Sequence, residues 1–205
     1  MTQPFDPASI SYYDENSDAF IANTADVNMG ALYEPFLEHI PAGGRILDLG
    51  CGSGRDTKFF SDQSYEVVAI DASTNMVEAT QQIADADVQQ LRFDEIDFVD
   101  EFDGIWACAS LLHIPETELN NILAKCFRAL RSSGTMFASF KYGNTQRTKG
   151  GRLFTDLNET RLMVLLDTLE FGLDVGHWVT RDIRPDRPGE KWLNAIIRID
   201  GAKKA

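Results

Sequence analysis

Cysteine is scarce in this chain, and the few present stand apart. Cys51, Cys108 and Cys126 are odd in number and form no CxxC pair. That argues against a disulfide framework and against a metal site, and it favours a reducing compartment, the cytoplasm. Long apolar runs are also missing: nothing approaches the roughly 18 residues that a membrane-spanning helix needs. The opening segment MTQPFDPASI has neither the basic start nor the apolar centre of a secretory signal. Basic residues are the minority charge, 19 Lys and Arg against 32 Asp and Glu, for a net charge of −13. A surface that negative on average repels a phosphate backbone, so nucleic acid is disfavoured as a partner. No internal repeat or low-complexity tract is present. The 205 residues, 43% of them hydrophobic, suffice for one ordinary folded unit.

What is present is alternation. The first 42 residues read as helical, with Met29, Leu32, Tyr33, Phe36, Leu37 and Ile40 at helical spacing and Pro35 set to kink or restart the helix. From Arg45 onward, strand-like runs at 45–49, 66–70, 88–91, 104–109 and 135–140 are separated mostly by helical stretches. Leu119, Ile122, Leu123, Cys126, Phe127 and Leu130 make one apolar stripe, opened by Pro115 and Glu116. Asp156 and Glu159 read as a capping box for a helix whose inner face is Leu162, Leu165, Leu166 and Leu169. Strand alternating with helix predicts a parallel sheet covered on both faces. The last two runs, 174–183 and 191–200, have no helix between them and predict an antiparallel hairpin at one sheet edge.

The segment ILDLGCGSGRD, residues 46–56, is a buried strand, a glycine turn and a helix start. Glycine permits positive φ and lets backbone approach a ligand closely, and a helix start offers free N–H groups. The spacing of Gly50, Gly52 and Gly54 is G-x-G-x-G, which differs from the dinucleotide fingerprint G-x-G-x-x-G, and no lysine follows to make a P-loop. Asp48, just before the loop, would repel a pyrophosphate and welcome a cation. Asp71 closes the second strand, 21 positions after Gly50, where an acid accepts hydrogen bonds from both hydroxyls of a ribose.

With VVAIDASTNM and FDGIWACASLLHI following it, the glycine segment resembles the class I S-adenosylmethionine-dependent methyltransferases, in particular the small-molecule type 11/25 and tellurite-resistance-like groups. The resemblance is good over about residues 9–145 and looser at the hairpin. It implies an α/β, three-layer Rossmann-like fold with a mostly parallel seven-stranded sheet and a C-terminal antiparallel hairpin. It also implies a single domain, with a helical cap over 1–42, a cofactor-binding half over 43–145, and a helix plus hairpin over 146–205 on the substrate side. The cofactor would be S-adenosyl-L-methionine, leaving as S-adenosyl-L-homocysteine. Asp48, with the backbone of Gly50, Cys51 and Gly52, would hold its methionine part, Gly54 completing the loop. Asp71 would hold the ribose. Ala72 and Met76 would line the adenine slot, although Met76 reads equally as helix core. Arg92 and Phe93 fall at the adenine edge, where many relatives carry an acid instead of Arg92. Ala109 and Ser110 would lie beneath the methionine arm. Arg55 has two readings, a contact to the cofactor carboxylate or a pair with Asp56.

The acceptor side is less defined. Methyl transfer is an in-line displacement that depends on alignment and water exclusion, and it needs a base only if the acceptor must lose a proton. His113, past the fourth strand, reads as that base or as a packing residue. Tyr12, Tyr13 and Phe20 read as lid residues or as ordinary helix packing, and Lys141 and Tyr142 follow the fifth strand on the substrate side. Lys141, Arg147, Lys149, Arg152, Arg181, Arg184 and Arg187 could hold an acceptor carboxylate or phosphate, but solvated charge paired with Asp182, Asp186 and Glu190 is the favoured reading. Trp178 and Trp192 could meet across the hairpin and read as sheet-packing or interface residues ahead of substrate stackers. The Asn/Asp-Pro-Pro-Tyr/Phe motif of DNA amino-methylating enzymes is absent from ACASLLHIP. A small-molecule acceptor is therefore expected, ahead of a protein or RNA methyltransferase, a non-catalytic cofactor binder and a nicotinamide enzyme. No metal is expected.

Overall fold

The computed structural model describes residues 5–184, 187 and 189–200. Asp186, assigned above as a charge partner, lies outside the described residues. The chain begins with three short helices: α1 (Pro7–Glu15), α2 (Ser17–Thr24) and α3 (Gly30–Leu37). Then β1 (Arg45–Leu49), α4 (Arg55–Asp62), β2 (Glu66–Asp71), α5 (Thr74–Ile83), β3 (Asp87–Gln90) and β4 (Phe102–Ala107) alternate. They are followed by α6 (Glu116–Ala129), β5 (Leu130–Lys141), the short strands β6 (Gln146–Lys149) and β7 (Arg152–Thr155), and α7 (Glu159–Asp167). The chain finishes with β8 (Leu173–Arg181) and β9 (Lys191–Ile199).

Seven strands form one sheet in the order β3-β2-β1-β4-β5-β9-β8. The first five run parallel and the terminal hairpin is antiparallel, as expected from the sequence. The strand order reverses between β1 and β4, and in open sheets of this kind ligands bind at the strand C-termini beside such a reversal. Alternate residues feed two cores. Leu47, Leu49, Val68, Ile70, Ile105 and Met136 join the core under α6 and α7. Ile46, Val67, Trp106 and Phe137 join a second core with Tyr33, Phe36 and Phe60 from α3 and α4. Trp106 stacks on Phe137 at 4.0 Å between ring centroids.

Four local expectations need correction. Helix α3 runs through Pro35 and ends two residues later at Leu37. The cap of α7 is Asn158, whose side chain accepts from Arg161 N, while Asp156 is drawn away to Arg147 at 2.7 and 3.1 Å. The small β6–β7 hairpin was not anticipated: Gln-Arg-Thr-Lys lacks an apolar alternation and is mostly exposed. Trp178 stands opposite Asn194, and Trp192 opposite Thr180, so the two indoles are not a cross-strand pair.

Gly104 shows how tightly α3 seats on the sheet. A Cβ there would lie 2.6 Å from Phe36 Cζ and 2.7 Å from Ile40 Cδ1. Phe36 is fully buried, so it has little room to yield. Gly104→Ala should cost about 1–3 kcal/mol by overpacking. The check is urea unfolding: a lower midpoint with an unchanged m-value is expected, and an unchanged midpoint would mean that α3 moves at no cost.

Candidate active site

A cavity of ≈ 670 Å³ opens at the C-terminal ends of β1, β2 and β4, beneath α1 and α2. That volume is in the range of small-molecule sites.

The glycine loop forms its floor. Gly50 has φ +85°, and a Cβ on it would lie 2.6 Å from Ser110 Cβ. Gly52 has φ +53° and faces Phe20 of α2, while Gly54, at φ +75°, packs on Thr80. Asp71 then shapes the loop from the next strand. Its Oδ2 accepts from Gly52 N at 3.0 Å and its Oδ1 from Ser73 N at 2.9 Å. Burial raises the Asp71 carboxyl above its usual range, and the backbone donors at Ser73 and Gly52 oppose that. Each oxygen keeps lone-pair capacity toward the cavity. The N–H groups of Gly50 and Cys51 bond the Ile70 carbonyl at 2.9 and 3.0 Å.

Ala109 takes φ +54°, a left-handed conformation rare for a residue with a side chain. Its N–H donates to Ser139 Oγ at 2.8 Å. This turn aims Ser110 at the loop, and Ser110 Oγ is buried without a hydrogen-bond partner. An orphaned hydroxyl beside a glycine cradle is what a polar ligand would satisfy.

Asp48 and Gly54 are not among the cavity-lining residues. Asp48 shares strand parity with Ile46 and faces the α3–α4 side, where its Oδ2 accepts from Thr57 Oγ1 at 2.5 Å. Burial, and then the nearby Asp56, push its carboxyl up to about 8. Arg55 pairs with Asp56, Nε at 2.6 Å and a terminal nitrogen at 2.8 Å. Asp56 also accepts from Tyr33 Oη at 2.5 Å and Trp106 Nε1 at 2.8 Å. Sequence reasoning missed Asp56 as a hub; the only signal was an acid at the start of an amphipathic helix. Cys51, Ala72, Met76 and Phe93 line the cavity, as does Arg92, whose guanidinium pairs with Asp94 and Glu95 and lies over Phe5 at 4.5 Å. Tyr142 is exposed, bonded to Glu159 at 3.0 Å and away from the cavity; Lys141 lines it but pairs with Glu190.

The roof comes from α1 and α2. Asp14 accepts from Ser73 Oγ at 2.6 Å, and its carbonyl accepts from Asn75 Nδ2 at 2.7 Å, pinning α1 over the start of α5. Tyr12, Tyr13 and Phe20 all line the cavity. Tyr13 Oη lies 2.8 Å from His113 Nε2, and His113 Nδ1 lies 2.6 Å from the Leu153 carbonyl oxygen. A carbonyl only accepts, so Nδ1 carries the proton and Nε2 accepts from the Tyr13 hydroxyl. Arg152 in turn donates to Tyr13 Oη at 3.4 Å. Among the described residues, no group of three or more His, Cys, Asp or Glu could hold a metal ion, and no helix is long and apolar enough to cross a membrane.

This is the class I methyltransferase fold with its cleft at the glycine loop. Residues 46–134 match the family model described as a methyltransferase domain. An uncharacterised methyltransferase of Staphylococcus carnosus (strain TM300) is 33% identical over 107 residues, covering 49% of this chain and 52% of that protein. The chain thus spans about half the length of the curated relatives it matches. The 1,6-didemethyltoxoflavin-N1-methyltransferase of Burkholderia thailandensis, solved with 1,6-didemethyltoxoflavin and S-adenosylhomocysteine, superposes with a TM-score of 0.75. It is 24% identical, and the match covers 97% of this chain and 91% of that one. The [4+2]-cyclase SpnF superposes with a TM-score of 0.70 at 14% identity, with 97% of each chain covered. At these identities the likeness shows the fold.

Burial pushes the His113 imidazole down to about 4, with the Leu153 carbonyl opposing. The unfolded chain binds that proton near the ordinary pKa of about 6.5. Between those values the unfolded state holds more protons, so this contribution to stability is complete above about pH 6.5 and is lost as pH falls toward 4. The His113 Hε1 resonance should stay flat from pH 8 to 5.5. A midpoint near 6.5 would contradict the buried Tyr13 and Leu153 contacts.

Proposed function

We propose that the chain transfers a methyl group from S-adenosylmethionine to a small-molecule acceptor. One observation carries this reading: the Asp71 carboxylate lies on the cavity wall, bonded to Gly52 N–H, with capacity left for ribose hydroxyls. Two further features fit the cofactor, the bare backbone of Gly50 and Gly52 on the cavity wall and the orphaned Ser110 hydroxyl. Gly52, Ser110 and the loop carbonyls would hold the methionine arm, Asp71 the ribose, and Ala72, Met76, Arg92 and Phe93 the adenine. The cofactor supplies a methyl group on a positively charged sulfur, ready for in-line displacement. Asp48, behind the loop, supports it through Thr57.

For an acceptor that must lose a proton, Tyr13 and His113 offer a path. The acceptor hydrogen goes to Tyr13 Oη as the Tyr13 proton moves to His113 Nε2; burial keeps that imidazole neutral and a weak base, so the path serves an acceptor whose proton leaves readily. A cavity of ≈ 670 Å³ roofed by α1 and α2 suits a small molecule better than a protein side chain or RNA. The division into a cap over 1–42, a cofactor half over 43–145 and a substrate side over 146–205 is part of the same reading. The unpaired cysteines fit a reducing cytoplasm. A second reading, non-methylating chemistry, draws on the cyclase that shares the fold.

Two charge-assisted hydrogen bonds to a ribose are worth about 1.5–3 kcal/mol each. Asp71→Ala should therefore weaken S-adenosylhomocysteine binding at least tenfold by calorimetry; unchanged affinity would refute the ribose assignment. Turnover over a panel of phenols, amines, thiols and carboxylates then separates methyl transfer from the second reading. On any acceptor found, Tyr13→Phe should lower kcat by about 10²-fold if a proton must be removed, with homocysteine-product binding retained.

A further inference from the structure

Most cations at the cavity mouth are already neutralised. Arg147 forks onto Asp156, Arg184 onto Asp182, and Lys141 pairs with Glu190 while lying 4.1 Å over Trp192. That matches the expectation of paired surface charge. Arg152 departs from it. It lines the cavity half-buried, and no carboxylate lies within ion-pair distance of it among the described residues. Asp6, the cap of α1, accepts from Ser9 N, Ser9 Oγ and Leu153 N through its Oδ2.

The guanidinium is held by its surroundings but leaves its hydrogen-bonding edge unused. Its Cζ lies 4.1 Å from the Tyr12 ring centroid, 5.3 Å from Phe154 and 5.6 Å from Tyr13. Those rings pack against the cation without accepting its N–H groups in the plane. Of five donors, one makes a 3.4 Å contact to Tyr13 Oη, and Nε is buried with no partner. Removing a cation from water without a counter-ion is costly, and a planar fork of donors is suited to two oxygens of one anion. The same guanidinium touches Tyr13, which in turn touches His113, so whatever it binds sits beside the proton path.

Resting on the methyltransferase reading, we propose that the acceptor is an anion and that Arg152 grips its charged oxygens. The specificity-determining residue is thus Arg152, and the substrate class is a small molecule bearing a carboxylate, a phosphate or another oxyanion. The aromatic rings around the guanidinium set its plane and thereby the approach of the acceptor toward Tyr13.

The test titrates the full chain, free and saturated with S-adenosylhomocysteine, with benzoate, inorganic phosphate and neutral benzamide, following the arginine Nε–H resonances and calorimetric affinity. One Nε–H signal should shift with an anion and not with benzamide, and it should be the one missing from Arg152→Lys. Arg152→Gln should bind the preferred anion at least tenfold more weakly, Arg152→Lys should retain part of the affinity, and both should bind S-adenosylhomocysteine as the parent does. Benzoate against phosphate tells which oxyanion fits. Absence of anion binding, equal binding of benzamide, or full anion affinity in Arg152→Gln would overturn the proposal. So would loss of S-adenosylhomocysteine binding in Arg152→Gln, which would assign the arginine to the cofactor carboxylate. If S-adenosylhomocysteine fails to bind the parent chain while the Arg152 signal still answers anions, the cofactor reading fails and the anion site stands.

Discussion

The contact between Gly50 and Ser110 sets the geometry of everything around it. At the point where the strand order reverses, the β1–α4 turn passes so close to the end of β4 that a single methyl group on Gly50 would sit 2.6 Å from Ser110 Cβ. Only a residue without a side chain, in a left-handed conformation, closes that gap. The close passage brings Gly52 N–H within reach of Asp71 and leaves Ser110 Oγ facing the loop. The floor of the cavity is therefore backbone, with an acid at one side and a hydroxyl at the other.

A buried charge locks that floor to the rest of the molecule. Asp56 gathers Arg55, Tyr33 and Trp106, so one carboxylate ties the start of α4 to α3 and to β4. Arg55 extends the tie to the Thr24 carbonyl at 3.3 Å, at the end of α2. Burial by itself would raise the Asp56 carboxyl; the guanidinium and hydroxyl donors outweigh that and hold it below its usual range. Its charge in turn adds to burial in pushing the Asp48 carboxyl up behind the loop. Truncating either partner of such a pair leaves an uncompensated buried charge, which is why it serves position more than net stability. The roof is fastened separately, through Asp14 on the start of α5 and Tyr13 on His113.

The parallel strands and the terminal hairpin were legible in the sequence because apolar alternation and glycine punctuation are strong local signals. That Gly50, Gly52 and Asp71 line one cavity was legible because their spacing maps onto one turn and one strand end. What was not legible depends on distant partners. Asp48 and Asp56 are both acids near the loop, and only strand parity decides that Asp48 turns toward Thr57, away from the cavity. Asp156 reads as a helix cap until Arg147 arrives from β6 to claim it. The β6–β7 hairpin, which carries Arg152 to the cavity, pairs an all-polar, mostly exposed β6 with a four-residue β7 too short to show an alternation. The Tyr13–His113 contact joins residues 100 positions apart, and no local periodicity encodes that.

In the proposed function the glycine loop and Asp71 form one nucleoside site for a methyl-donor cofactor. The most direct measurement is a crystal structure of the chain with S-adenosylhomocysteine. Both ribose hydroxyls should lie within hydrogen-bond distance of Asp71, and the homocysteine arm should lie over Gly50 and Gly52 beside Ser110. A ribose bound elsewhere, with Asp71 still engaged only by Gly52 and Ser73, would contradict it.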